Sequence, residues 1–332
     1  MKYRKFANTN IELSSIGLGC MGMSAAYGQK DDIQSLATLE KSIELGINFW
    51  DTADIYANGA NEELISKILT KNRDKVFIAT KFGFRMRDET KDSFSGDVFI
   101  DCSAKHIKEA VEKSLKRLNT DVIDLYYAHR IDQNTPIEET IEAMSQLVKE
   151  GKIKYLGLSE CTADELKKAH AIHPISALQS EYSLLYREVE KEILPLTKEL
   201  GITFVPFAPL GRGLMSNKLD ISSLNESDFR RKLPRYDGEY LQNNQKLTFE
   251  LEQLALSKNA TSAQLSLAWV LAQSENIIPI PGTKKIKYLE ENSKAVDLQL
   301  SNDDLEKIEN ILKKYPNVGP RYSDRENKFV KK

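Results

Sequence analysis

VIDLYYAHRIDQNTPIEETIEAMSQLVKEGKIKYLGLS, residues 122–159, reads as strand, helix, strand. Val122 to His129 is an apolar run that ends in a polar residue. Ile137, Ile141, Met144, Leu147 and Val148 then recur at the spacing of one helical face, as in a helix packed on a sheet. Thr135-Pro136-Ile137-Glu138 predicts a capping box with proline at N1. Gly151 stands at the left-handed position that ends a helix, and Tyr155 to Ser159 opens the next strand. Strand, crossover helix and strand in this order form a parallel βαβ unit.

The same alternation extends in both directions. Strands are predicted near Ile16 to Cys20, Phe49 to Ala53, Val76 to Lys81, Val122 to His129, Tyr155 to Ser159, Ala177 to Ser180, Thr203 to Phe207 and Ile277 to Ile280. Helical stripes intervene: Leu64, Ile65, Ile68 and Leu69 after Asn61; Ile107, Val111, Leu115 and Leu118 after Ser103; and a helix behind the capping box Thr162-Ala163-Asp164-Glu165. Tyr3 to Phe6 and Ile11 to Ser14 predict a terminal hairpin. Eight βα units close most economically as an α/β (β/α)8 TIM barrel with that hairpin at its N-terminus. A doubly wound sheet is the weaker option, because Gly17-Leu18-Gly19-Cys20-Met21-Gly22 lacks the GxGxxG spacing. A long loop after strand 7, from about Leu210 to Gln242, has the length of a lid or binding loop. Helices are predicted over Asn244 to Lys258, Ser262 to Ala272, Ile286 to Asn292 and Ser301 to Leu312, with a loose tail from Tyr315. No interdomain linker is visible, so residues 1–332 are expected to form one domain.

Composition narrows the function. Hydrophobic residues at 41% and charged residues at 29% fit a globular chain, and no apolar run is long enough for a membrane helix. Neither a secretory leader nor a membrane anchor is expected, which predicts a cytoplasmic location. A formal net charge of −2 gives no basic footprint for nucleic acid. Cys20, Cys102 and Cys161 lack a disulfide or zinc spacing, and His170 with His173 marks a helix end, so no metal site is predicted.

In a parallel barrel the carboxyl ends of the strands form the active-site face. Asp51, Lys81 and His129 each close an apolar strand, and Tyr56 follows Asp51 by five residues. Singly, an aspartate can cap a helix and a lysine can snorkel. Three ionisable groups on one rim are harder to explain as structure, because each loses hydration unless the others pair with it. A phenol beside an ammonium, with a carboxylate behind and an imidazole opposite, can hand a proton to a carbonyl oxygen.

Phe49-Trp50-Asp51-Thr52-Ala53-Asp54-Ile55-Tyr56, Ala79-Thr80-Lys81-Phe82-Gly83, Asp124-Leu125-Tyr126-Tyr127-Ala128-His129-Arg130, Gly157-Leu158-Ser159-Glu160, Gln179-Ser180-Glu181-Tyr182-Ser183, Pro206-Phe207-Ala208-Pro209-Leu210-Gly211-Arg212-Gly213 and Pro281-Gly282-Thr283-Lys284 together resemble the aldo-keto reductases, in order along nearly the whole chain. The resemblance implies an NADPH-dependent oxidoreductase acting on a small-molecule aldehyde or ketone. Tyr56 would be the proton donor, Lys81 would lower its pKa, Asp51 would hold Lys81 charged, and His129 would orient the carbonyl. For the cofactor, NADPH/NADP+, it implies Ser159 and Gln179 at the carboxamide and Phe207 stacked on the nicotinamide. The backbone of Leu210, Gly211, Arg212 and Gly213 would lie at the pyrophosphate. Gly282, Thr283, Lys284 and Tyr288 would serve the adenosine phosphate, Glu291 and Asn292 the adenine, and Cys20 and Met21 the exit of the first strand. Glu160 stands where many members have asparagine, Phe207 where many have tyrosine or tryptophan, and Ala208 where serine is common. Met23, Tyr27, Phe82, Phe84 and Arg130 are substrate-pocket candidates. Two other readings stay open: a cofactor-binding regulatory subunit resembling the potassium-channel β subunits, and a Schiff-base lyase with Lys81 as nucleophile.

Overall fold

The computed structural model describes residues 1–24, 26–88, 97–226 and 228–330. β1 (Tyr3–Lys5) and β2 (Glu12–Ser14) pair antiparallel as the expected hairpin. The main chain then runs β3 (Leu18–Gly19), α1 (Asp32–Glu44), β4 (Phe49–Asp51), α2 (Ala60–Leu69) and β5 (Phe77–Phe82). A second antiparallel pair, β6 (Phe84–Met86) and β7 (Val98–Ile100), precedes α3 (Ala104–Leu118) and was not expected from the pattern. The units β8 (Ile123–Ala128) with α4 (Ile137–Lys149), β9 (Ile153–Ser159) with α5 (Ala163–Ile172), and β10 (Ile175–Glu181) with α6 (Ile193–Glu199) lead to β11 (Thr203–Phe207). α7 (Gly238–Leu256), α8 (Ser262–Ala272), α9 (Ile286–Ser293), α10 (Asn302–Lys314) and α11 (Asp324–Asn327) complete the chain.

Seven parallel strands lie in the order β11-β10-β9-β8-β5-β4-β3. The eighth, expected at Ile277 to Ile280, is not a regular strand, and two prolines explain why. The Ile278 and Ile280 amides donate to Phe204 and Pro206, while the carbonyls of Pro279 and Pro281 accept from Gly17 and Gly19. Having no N–H, Pro279 and Pro281 cannot return a bond to β3. The segment closes the (β/α)8 barrel through isolated parallel bridges, Phe204 with Ile277 and Gly19 with Gly282, instead of a continuous ladder.

Period-2 alternation sorts the strand residues. Phe49, Phe77, Ala79, Leu125, Tyr127, Ala177, Val205, Ile278 and Ile280 fill the interior, and Phe6 and Leu13 of the hairpin join that cluster. Trp50, Ile78, Tyr126, Leu156, Leu158, Leu178 and Phe204 face outward toward the helices. A Cβ on Gly157 would lie 2.3 Å from the Tyr127 ring, so glycine is what lets that ring enter the interior.

Three expectations need correction. The Thr135 hydroxyl donates to Asp132 and Pro136 is the N-cap of α4 without a side-chain bond, so the capping box does not form there. The box at Thr162 and Glu165 does. α7 begins at Gly238, inside the stretch read as loop. The tail is not loose, because Tyr322 is buried and Phe329 packs edge-on against Phe84 with ring centroids 5.4 Å apart. No helix among the described residues is long and apolar enough to cross a membrane.

Candidate active site

The inward parity of each strand carries through to residues near or just past its carboxyl end. Phe49 and Asp51, then Ala79 and Lys81, Leu125, Tyr127 and His129, Ala177 and Gln179, and Val205 and Phe207 form successive rungs of one interior. The polar residue of each set is therefore aimed into the barrel mouth. Below the mouth, Lys81 Nζ lies 2.5 Å from Asp51 Oδ1 and donates to the Thr52 carbonyl at 2.7 Å. Gln179 Nε2 donates to the other Asp51 oxygen at 2.8 Å. Burial pushes the Asp51 carboxyl up and the Lys81 ammonium down, and the opposite charge of the partner opposes both shifts.

Tyr56 begins a short 3-10 turn above this pair, with Lys81 Nζ 5.3 Å from its ring centroid. Ala57 and Asn58 follow at φ 50 and 53, so two consecutive left-handed residues turn the chain into α2. Burial holds the Tyr56 phenol well above its usual range, and the Asp51 charge adds to the shift. The Arg130 charge offsets part of that rise. Tyr56 therefore keeps its proton at neutral pH. The His129 ring meets Tyr56 edge-on at 5.9 Å and Phe84 at 4.9 Å. Burial, with Lys81 and Arg130 nearby, depresses its pKa well below the usual value, so the imidazole is neutral.

These groups face a cavity of about 590 Å³. It is lined by Asp51, Tyr56, His129, Ser159, Gln179 and Phe207 at the mouth, and by Met21, Leu210, Arg212, Gly213, Gly282, Thr283, Lys284, Tyr288, Glu291 and Asn292 along its length. Tyr27, Phe84 and Arg130 line it as well. Five candidates do not line it. Cys20, Met23 and Phe82 are fully buried in the outer core, and Gly211 is buried beneath its loop with Leu185 against its Cα. Lys81 touches the cavity only through its partners.

Several side chains are already committed. Lys284 Nζ donates to the carbonyls of Tyr27 and Gln29 at 2.8 and 2.5 Å, bridging the groove instead of standing free. Arg212 lies over the rings of Phe229 and Tyr322, donates to the Tyr27 hydroxyl at 3.3 Å and approaches Glu181 to 3.6 Å. Glu291 pairs with Lys218 at 3.2 Å. Glu160, at φ 57, receives both Nη atoms of Arg321 at 2.9 and 2.5 Å. Burial would raise its carboxyl, but those bonds hold it below the usual carboxylate range.

Sequence reasoning missed Tyr322 and Phe329, which wall the cavity from the tail, and Val98 of β7. The signal was faint: Arg321-Tyr322 is an aromatic-cationic pair in an otherwise irregular segment, and only its contact with Glu160 gives it meaning.

Known proteins align with this arrangement along almost its full length. A probable aldo-keto reductase 1 from Glycine max is 43% identical over 306 residues, covering 92% of this chain and 87% of that protein. Aldo-keto reductase yakc [NADP(+)] from Schizosaccharomyces pombe is 42% identical, covering 96% and 94%. Among solved structures, the glycerol dehydrogenase of Gluconobacter oxydans superposes with TM-score 0.87 at 26% identity over 96% of this chain and 97% of that one. An aldo-keto reductase from Bacillus halodurans, solved in its holo form, gives 0.77 at 30% identity over 98% and 99%. The aldo/keto reductase family model matches residues 15–313, and the chain with this barrel and this buried lysine-aspartate pair belongs to that family.

Proposed function

We propose that the protein is an NADPH-dependent reductase of aldehydes or ketones, one barrel domain acting in the cytoplasm, with Tyr56 as its proton donor. The observation that carries this reading is the Lys81–Asp51 pair at 2.5 Å beneath a protonated Tyr56 that meets a neutral His129. The cavity fits an elongated dinucleotide. Ser159, Gln179 and Phe207 stand at its inner end, and at the outer end α9 starts at Ile286 behind an N-cap, Lys285, that makes no side-chain bond, a helix N-terminus suited to a phosphate. Thr283, Lys285 and Tyr288 would hold that end, with Lys284 joining once its bridge to Tyr27 and Gln29 opens. NADPH held there would supply a hydride to the carbonyl carbon and become NADP+.

The chain's own residues do the rest. As the C=O π bond breaks, the carbonyl oxygen takes the Tyr56 proton. The Lys81 and Arg130 charges stabilise the phenolate left behind, a preorganised electrostatic effect in a site that largely excludes water. His129, neutral and held by the Phe82 carbonyl through its backbone amide at 2.8 Å, presents an imidazole edge to the same oxygen. Lys81 is fully buried and bound to Asp51 and Thr52, which counts against its use as a Schiff-base nucleophile.

The test is NADPH binding by fluorescence, followed by NADPH oxidation over a panel of aldehydes and ketones, with Tyr56→Phe in parallel. Tyr56→Phe is expected to lose about 10²–10⁴-fold in kcat with binding retained. Binding with no turnover of any carbonyl would favour the regulatory-subunit reading. Failure to bind NADPH would remove the cofactor assignment.

A further inference from the structure

We propose that the carbonyl substrate carries a carboxylate and that Arg130 receives it, which makes Arg130 the residue that selects the substrate class. This rests on the reductase reading above. Arg130 directly follows His129, is 9% exposed and lines the cavity. Only Nη1 of its guanidinium is engaged: it donates to the His129 carbonyl at 2.6 Å and to Ser159 Oγ at 3.2 Å. Nε is buried with no hydrogen-bond partner among the described residues.

The surrounding charges are accounted for elsewhere. Asp51 is paired with Lys81, Glu160 with Arg321, and Glu181 with Arg235 at 2.9 Å. No described carboxylate makes an ion pair with Arg130. Glu160 acts on Arg130 only through space while its oxygens bond Arg321, and a guanidinium withdrawn from water without a hydrogen-bonded counterion is costly, which points to an anion that arrives with the ligand. Phe84 packs 4.9 Å from the His129 ring and 5.7 Å from the Arg130 guanidinium. The anion and the reacting carbonyl would therefore share one aromatic wall, separated by a short body. The Nε–Nη2 side of a guanidinium carries two parallel N–H groups, which a planar carboxylate matches with two hydrogen bonds. Phe84, Val98 and Phe329 give the body of the substrate an apolar setting.

The experiment compares carboxylated and neutral substrates of matched shape: 4-carboxybenzaldehyde against 4-carbamoylbenzaldehyde, and 4-oxobutanoate against butanal, each with NADPH. Wild type is expected to favour the acid by about tenfold or more in kcat/KM, chiefly through KM, as one charged hydrogen-bonded contact allows. In Arg130→Met the ratio within each pair should fall to about one. Arg130→Lys, which keeps the charge without the fork, should retain part of the preference. A second readout needs no turnover: benzoate should bind the NADP+-loaded protein at least about tenfold more tightly than benzamide does, and Arg130→Met should abolish the difference. Equal turnover of acids and neutral partners by wild type overturns the proposal and leaves the reductase reading intact. An unchanged acid preference in Arg130→Met overturns the assignment to Arg130. Absence of turnover with every carbonyl, while Arg130-dependent benzoate binding persists, overturns the reductase reading and upholds the anion site.

Discussion

Asp51→Asn should expose how strongly the buried pair couples stability to chemistry. Lys81 is fully buried, and its ammonium has two acceptors among the described residues, Asp51 Oδ1 at 2.5 Å and the Thr52 carbonyl at 2.7 Å. The substitution removes the counter-charge and leaves a buried cation facing neutral oxygens. Removing one partner of a buried pair costs about 3–5 kcal/mol. Lys81→Met should cost a similar amount, because it leaves the Asp51 carboxylate buried with Gln179 as its remaining side-chain donor. The double variant has no orphan charge, so it should fall short of the summed single costs by about 3 kcal/mol. The pH dependence has a definite sign. Burial lowers the Lys81 pKa, and loss of Asp51 lowers it further. In Asp51→Asn the penalty should therefore be full at low pH and shrink as pH rises from the folded pKa toward the unfolded lysine value of about 10.4. Equilibrium guanidinium unfolding is the assay, followed by circular dichroism and by the fluorescence of Trp50, which is buried beside Asp51; coincident curves justify two-state treatment. Single costs under about 1 kcal/mol that simply add would refute the reasoning, because they would mean that the ammonium escapes to solvent when its partner is lost.

Ala57→Gly should stabilise the fold by about 0.5–1 kcal/mol, since Ala57 sits at φ 50 and relief of left-handed strain exceeds the added unfolded-state entropy of glycine; a rise in Tm checks it. Gly157→Ala should destabilise by about 1–3 kcal/mol, because the new methyl would fall 2.3 Å from the Tyr127 ring. Denaturant midpoints compared with Gly157→Ala/Tyr127→Leu, where the clash is gone, would separate overpacking from a backbone effect. His129, with its pKa depressed by burial, contributes stability that is complete above the unfolded value of about 6.5 and is lost as pH falls toward the folded pKa. His129→Gln should flatten that part of the stability profile, and an unchanged slope would show that the imidazole titrates in solvent.

The barrel was legible because its signal is repetitive: apolar strands alternating with amphipathic helices survive an error in any one element. Where single residues decide, the pattern failed. Pro279 and Pro281 turn an evidently apolar strand into an irregular closing segment, and the Thr135 hydroxyl bonds Asp132 instead of capping α4. Both outcomes depend on a neighbour brought in by the fold. The same division runs through the site. Asp51, Lys81, His129, Gln179 and Phe207 share the inward parity of their strands, so strand period and strand end suffice to gather them. Met23 and Phe82 were assigned to the pocket from loop proximity, yet both are fully buried in the outer core. Residue type could not tell them from Phe84, which lies just beyond the glycine at φ 120 and faces the cavity. Lys284 and Arg130 carry the same formal charge in a sequence. Only the structure distinguishes an ammonium bound to the carbonyls of Tyr27 and Gln29 from a guanidinium whose buried Nε has no partner among the described residues. Chemistry at a strand end can thus be read from periodicity, whereas the availability of a charge depends on which partners the tertiary fold has already given it.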